Sequence, residues 1–227
     1  MKPTVKQILR NAAITLSDYP RHDRWPLTEL AAYFADGLLE AIRLRPDVFT
    51  ERRHLSLTEG VEQSADPQEV YRVLTLLCNT DSEGEQRKRA ITQVPLSQLD
   101  RFDPDWRERE PATQVDNVAA DAAQPHRFWC LPPNNGKGHV LADVVPLPPT
   151  LPPDTEDDPD ELASYDMAFP AQPVYAPAIT YYIVYRCMTK DTDFAQGQQR
   201  ASLWYEKFLT TLGMSSERGD EGGDDGR

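Results

Sequence analysis

Residues able to do chemistry cluster at four places in this sequence. Asp18, His22 and Asp23 crowd a short polar connection, an acid and imidazole grouping that suits a proton relay or a metal site. No nucleophile motif of the G-x-S-x-G kind accompanies them, and the same residues suit turn and capping chemistry, which is the preferred reading. Asp103 and Asp105 flank Pro104 and would serve as paired carboxylates for acid–base work if desolvated, but their polar neighbours favour a solvated turn. The alternating acids Asp154, Glu156, Asp158 and Asp160 suggest a calcium loop. Pro159 and Tyr165, however, stand where an EF-hand needs Gly and Glu. Gly136-Lys137-Gly138 lacks the earlier glycine and the following Ser or Thr of a phosphate-binding loop, and reads as a hairpin tip. No cofactor or metal is therefore expected, and an interaction protein is favoured over an enzyme.

The whole-chain charge points the same way. The 227 residues hold 24 Lys and Arg against 37 Asp and Glu, a formal net charge of -13, which opposes binding to nucleic acid through phosphate neutralisation. Cys78, Cys130 and Cys187 are far apart and odd in number, so neither a disulfide framework nor a zinc site is indicated, and each reads as a small buried hydrophobe. No apolar run approaches the roughly 18 residues that span a bilayer, and no signal-peptide core is visible. A soluble protein, intracellular when made, is the expectation.

The elements that must position these residues follow from periodicity. Thr4 and Gln7 form a capping-box pattern that opens a helix over 3–17, with Val5, Ile8, Leu9, Ala12, Ala13 and Leu16 at helical spacing. Trp25-Pro26 opens a second, over 26–45, whose stripe runs from Leu27 to Ile42 and which Pro46 ends. Near the other end of the sequence, 173–190 and 193–212 read as two consecutive amphipathic helices. The first carries Val174, Ala178, Tyr181, Tyr185 and Met188 on its apolar stripe, and Asp191-Thr192-Asp193 interrupts the pattern with capping residues. Gly213 stops the second.

Between them, residues 50–145 change to extended periodicity and predict a small antiparallel sheet. Strand-like runs lie at His54–Thr58, Val70–Cys78, Arg89–Val94, His126–Leu131 and His139–Val145, the last two flanking an Asn-Gly hairpin turn, with a helical turn at Leu96–Arg101. Residues 108–124 read as loop. The proline-rich and acidic stretch 146–172 reads as an extended loop with little core of its own, and 213–227 as a flexible acidic tail. The expected fold is α+β: one domain over 1–212, a bundle of long helices with an antiparallel β-rich insertion between the second and third of them, plus that loop and tail.

The order of segments resembles the head-to-tail adaptor, or connector, proteins of short-tailed bacteriophages related to the tail tubular protein A group. The likeness runs through about residues 3–212. It is carried by Arg24-Trp25-Pro26-Leu27-Thr28-Glu29-Leu30, Leu44-Arg45-Pro46-Asp47, Arg89-Ala90-Ile91, Asp103-Pro104-Asp105-Trp106 and pieces between Tyr175 and Leu212, including Val184-Tyr185-Arg186, Lys190-Asp191 and Ala201 through Phe208. The resemblance implies a structural virion protein at the portal vertex, assembled from host cytoplasm into a ring of twelve. One face would meet the portal protein and the other the tail nozzle or hub, with tail fibres or spikes at the edge, and double-stranded DNA would pass without specific binding during genome ejection. Head-to-tail repetition of one wedge-shaped subunit would close such a ring. Carboxylates facing the channel would repel phosphates and let DNA slide.

Other readings stay open at this point: another phage neck component such as a completion or stopper protein, a monomeric protein-binding module, or an enzyme of unknown chemistry. Interface candidates are Trp106, Arg127 and Trp129, as aromatic and arginine anchors, and Asp154, Glu156, Asp158 and Arg218 on the proline-rich loop and the tail, the two candidate arms.

Overall fold

Strand and helix propensities sort this chain into two compact units, Met1–Arg45 with Pro148–Arg227, and Pro46–Leu147, in the computed structural model. The structure describes residues 2–121, 123–152, 157–190 and 195–214. Each unit buries its own apolar faces.

In the first unit, α1 (Val5–Thr15) begins at the anticipated capping box: Gln7 N–H donates to Thr4 Oγ1 at 3.3 Å, and Thr4 N–H donates to Gln7 Oε1 at 3.1 Å. Its Val5, Ile8, Leu9, Ala12 and Ala13 are buried. In α2 (Leu27–Leu44), Pro26 stands at the cap position. Two further helices, α4 (Ala176–Lys190) and α5 (Ala195–Thr211), follow a 3-10 turn at Pro173–Tyr175. Helix α4 packs against α1, α2 and α5, so most of its circumference is covered. Its buried set is centred on Ile179, Ile183 and Cys187, with Val174 left 65% exposed and Tyr181, Tyr185 and Met188 only half-buried. The expected stripe was rotated because three neighbours, not one, cover this helix.

Rings stitch α4 to α5: Tyr182 to Phe208 at 5.2 Å and Tyr185 to Tyr205 at 5.0 Å between centroids. Gly37 lets α2 approach α4, since a Cβ there would stand 2.9 Å from the Tyr182 ring. At Gly213, φ is +78°, and Met214 N–H donates to Leu209 O, which closes α5 as anticipated. The stretch expected to have little core of its own adds two buried rings to this unit: Tyr165, whose hydroxyl donates to Pro159 O at 2.8 Å, and Phe169, which meets Phe34 edge-on. Val5 N–H to Met167 O and Phe169 N–H to Pro3 O, both 2.9 Å, tie that stretch to α1.

The second unit holds β1 (Glu51–Ser56), β2 (Glu59–Ser64), β3 (Val70–Thr80), β4 (Arg87–Ala90), β5 (Thr92–Gln93), α3 (Leu96–Phe102), β6 (Asn117–Ala120), β7 (Arg127–Asn135) and β8 (His139–Pro146). They form two four-stranded sheets, β1-β8-β3-β4 and β2-β7-β6-β5. Side chains from both, including Val73, Leu76, Val118, Phe128, Val140 and Val144, make a shared core. The second sheet also carries Leu99 of α3 packed with Trp106, Ala119 and Leu131.

The expected bundle of long helices with an antiparallel insertion is therefore not the fold. Among the described residues there are five α-helices, of 11, 18, 7, 15 and 17 residues, beside two sheets with their own core. The β segment has two apolar inner faces, enough to close a core by itself, and its β5–β6 pair is parallel. The Asn-Gly turn does not join a paired hairpin either. Strand β7 pairs with β2 and β6, whereas β8 pairs with β1 and β3, so the chain changes sheets at that turn. Residues 117–120, expected as loop, form β6.

Asn134 makes the change of sheet possible. It is fully buried; its Nδ2 donates to Ala112 O (3.2 Å) and Thr113 O (3.1 Å), and its Oδ1 accepts from Gly136 N–H (2.9 Å) and Gly138 N–H (3.1 Å). Replacing Asn134 with Ala removes four hydrogen bonds, one of them to the buried Gly138 N–H, and the expected cost is about 2 kcal/mol of unfolding free energy. Asn135→Ala, one residue on, should cost less than about 1 kcal/mol. Urea unfolding of both variants checks the difference.

Candidate functional surfaces

The chemistry-bearing residues do not converge on one site. The Asp18 carboxylate accepts backbone N–H groups of Arg24 (3.2 Å) and Trp25 (2.7 Å), which fixes the α1–α2 connection, as the turn reading anticipated. His22 takes a positive φ of 55° and packs edge-on to Tyr19. Asp103 pairs with Arg109 at 2.8 Å, and Asp105 is exposed. Among the described residues no group of three His, Cys, Asp or Glu could hold a metal ion. Burial pushes the Cys130 thiol up to about 11 and the Cys187 thiol up to about 12, so both are held protonated at neutral pH.

The interface candidates are dispersed. Trp106 is fully enclosed, with Nε1 donating to Asp100 Oδ1 at 3.0 Å and the Arg107 guanidinium 4.3 Å above its ring. Trp129 is half-buried against the same α3 cluster, and Arg127 pairs with Glu62 across β7 and β2. Asp158 is exposed, its carboxylate accepting the N–H of Asp160 at 2.9 Å. Asp154, Glu156 and Arg218 lie outside the described residues, as do the caps Asp191, Thr192 and Asp193.

Residues that bring separate motif pieces together are Trp25, Glu29 and Tyr33 on one side and Arg186 and Lys190 on the other. Lys190 Nζ donates to Glu29 Oε1 at 2.6 Å and Tyr33 Oη to the same oxygen at 2.7 Å. Arg186 donates to Asp36 Oδ2 at 2.6 Å and lies 4.7 Å over the Tyr33 ring. Burial pulls the Glu29 carboxyl upward, but the bonds from Lys190 and Tyr33 outweigh it and hold the group below its ordinary value. Burial, and then Glu29 itself, raise the Tyr33 phenol.

Three surfaces escaped the sequence. A groove of about 800 Å³ runs between α1 and α4, with Ile8, Ile14, Pro177 and Tyr181 on its walls. Beside it Lys2, just before α1, and Lys6 and Arg10, four residues apart on α1, line a smaller basic pocket. Phe102, at the end of α3, is 75% exposed. The edge strand β4 presents Arg87, Lys88 and Arg89, all exposed, with Arg89 paired to Asp116 at 2.9 Å. No helix of the described residues is long and apolar enough to cross a membrane.

Residues 3–226 match the family model described as SU10 adaptor protein, and the chain belongs to that family of structural phage adaptors. Membership makes it a virion component of the head-tail region that touches other virion proteins. Among curated proteins, none matches the chain.

The Glu29 linkage is testable. A carboxyl with a lowered folded value contributes stability above its ordinary range near 4.5 and loses it as pH falls through the folded value. Glu29→Gln should cost about 1 kcal/mol at pH 7, since Lys190 is largely exposed, and the gap to the unaltered protein should narrow as the pH is taken progressively below 4.5. Urea titrations at pH 7 and at a series of pH values below 4.5 check this.

Proposed function

We propose that the chain is the head-to-tail adaptor of a short-tailed phage particle, akin to the tail tubular protein A group. In this reading twelve copies form a ring beneath the portal and continue the DNA channel to the tail nozzle or hub. The family match over residues 3–226 carries the reading. Tail fibres or spikes attach at the ring's outer edge, and the ring assembles in the host cytoplasm before it sits at the portal vertex. The chain's work is geometric: one subunit repeats a head-to-tail contact until the rotation closes.

The net charge of -13 fits a channel through which DNA slides without sticking. The acids of 154–161 and the tail 213–227 are the arms that reach a neighbour or a tail protein, with Asp154, Glu156, Asp158 and Arg218 as their contact residues. Arg127 and Trp129 serve at the β-rich unit, and Trp106 serves by fixing α3 from within.

Sedimentation and negative-stain imaging of the purified protein, alone and with portal rings from the same particle, test the proposal. A closed twelve-fold ring that stacks on the portal is expected. A monomer that ignores the portal at micromolar concentration would overturn it.

A further inference from the structure

We infer that the groove between α1 and α4 receives Phe102 from a second copy of this chain, making the head-to-tail contact of the ring. The inference rests on the ring reading above and adds to it the pair of surfaces that meet. A heterologous contact needs two different patches on one subunit, a donor and an acceptor. The two lie on different units of the chain: Phe102 in Pro46–Leu147, the groove in Met1–Arg45 with Pro148–Arg227.

The donor is a phenyl ring 75% exposed, the most exposed large hydrophobic side chain among the described residues. It does not sit on a loose loop. Leu99, one turn earlier in α3, is buried, and Trp106 beyond the helix is fully enclosed and bonded back to Asp100 at 3.0 Å. A side chain carried on an anchored backbone loses less freedom on binding than one on a loose loop. The acceptor is apolar, walled by Pro3, Ile8, Ile14, Ala176, Pro177 and Tyr181, and at about 800 Å³ it is far larger than a phenyl ring.

Charge selects the match. The segment 100–110 that carries Phe102 holds five carboxylates against three guanidiniums. Arg107 and Arg109 are taken up by Asp100 (2.7 Å) and Asp103 (2.8 Å), and Arg101 lies 6.0 Å over the Phe102 ring. Asp105, Glu108 and Glu110 are exposed and have no ion-pair partner among the described residues. The groove's border carries the opposite sign: Lys2 and Arg10 are exposed, and Lys6 reaches Asp166 only at 3.8 Å. A net acidic segment bearing an aromatic knob thus meets a basic border beside a largely apolar slot.

Phe102→Ser and Ile14→Glu test the contact in the full chain. Both side chains are at least half exposed, at 75% and 51%, so the native fold should persist, and thermal melting confirms it. Each variant alone should self-associate about 30-fold more weakly in sedimentation velocity. Mixed in equal amounts they should form dimers and no rings, because each retains the patch the other lacks. If the unaltered chain forms rings and both variants still do, the inference fails and the ring reading stands. Rings that persist while portal binding is lost would assign the groove to the portal and overturn the inference. If the unaltered chain forms no ring alone or on portals, the ring reading itself fails, and this contact with it.

Discussion

The β-rich unit depends on satisfying backbone groups where the chain passes from one sheet to the other. Within a sheet the ladder does this automatically, but a corner leaves N–H and C=O groups facing inward without partners. Buried side-chain amides fill the gap. Asn134 binds four backbone groups at the β7–β8 corner. Gln63 exchanges bonds with Thr58 and donates to Gly60 O between β1 and β2. Asn79 holds Val115 by both N–H and C=O and takes Arg89 O as well. An amide suits this role because it offers donors and acceptors in one plane without a charge to desolvate.

The helical unit solves a different problem. Its central helix α4 is covered by three others, so it tolerates few polar residues inside: Thr180 is buried with its hydroxyl donating to Ala176 O, and the charged residues lie toward the end of the helix. There Arg186 and Lys190 emerge beside Asp36 and Glu29 of α2, with the Tyr33 hydroxyl donating to Glu29 and its ring under the Arg186 guanidinium. The cluster fixes how α2 and α4 pack and how the Trp25 entry to α2 is held. Residues that look like independent motif pieces in the sequence are thus one contact in space.

Much of this was legible beforehand where local rules govern. The α1 capping box, the Gly213 stop, the α3 turn and the runs of β3 and β8 follow from neighbours in sequence, and the structure has them. Long-range choices were not legible. Strand β6, Asn117-Val118-Ala119-Ala120, is too short and too rich in alanine to signal a strand; it forms because Val118 and Ala119 fill the space on the two faces of a sheet already made by others. The Asn-Gly turn specifies a reversal but cannot say which sheet each arm joins. Tyr165 and Phe169 were hidden among prolines and acids, where composition overrides the signal of single aromatics. The groove and Phe102 have no pattern in sequence, because exposure of one apolar side chain is decided by what fails to pack over it.

The charged edge strand β4 has a consequence for a protein meant to gather in many copies. Its Arg87, Lys88 and Arg89 line the border of the first sheet, where free backbone groups would otherwise template another strand. Two such edges repel one another. At the high local concentration of a growing particle, copies are steered away from fusing sheet to sheet into open-ended fibres, and side-chain recognition is left to decide where growth ends.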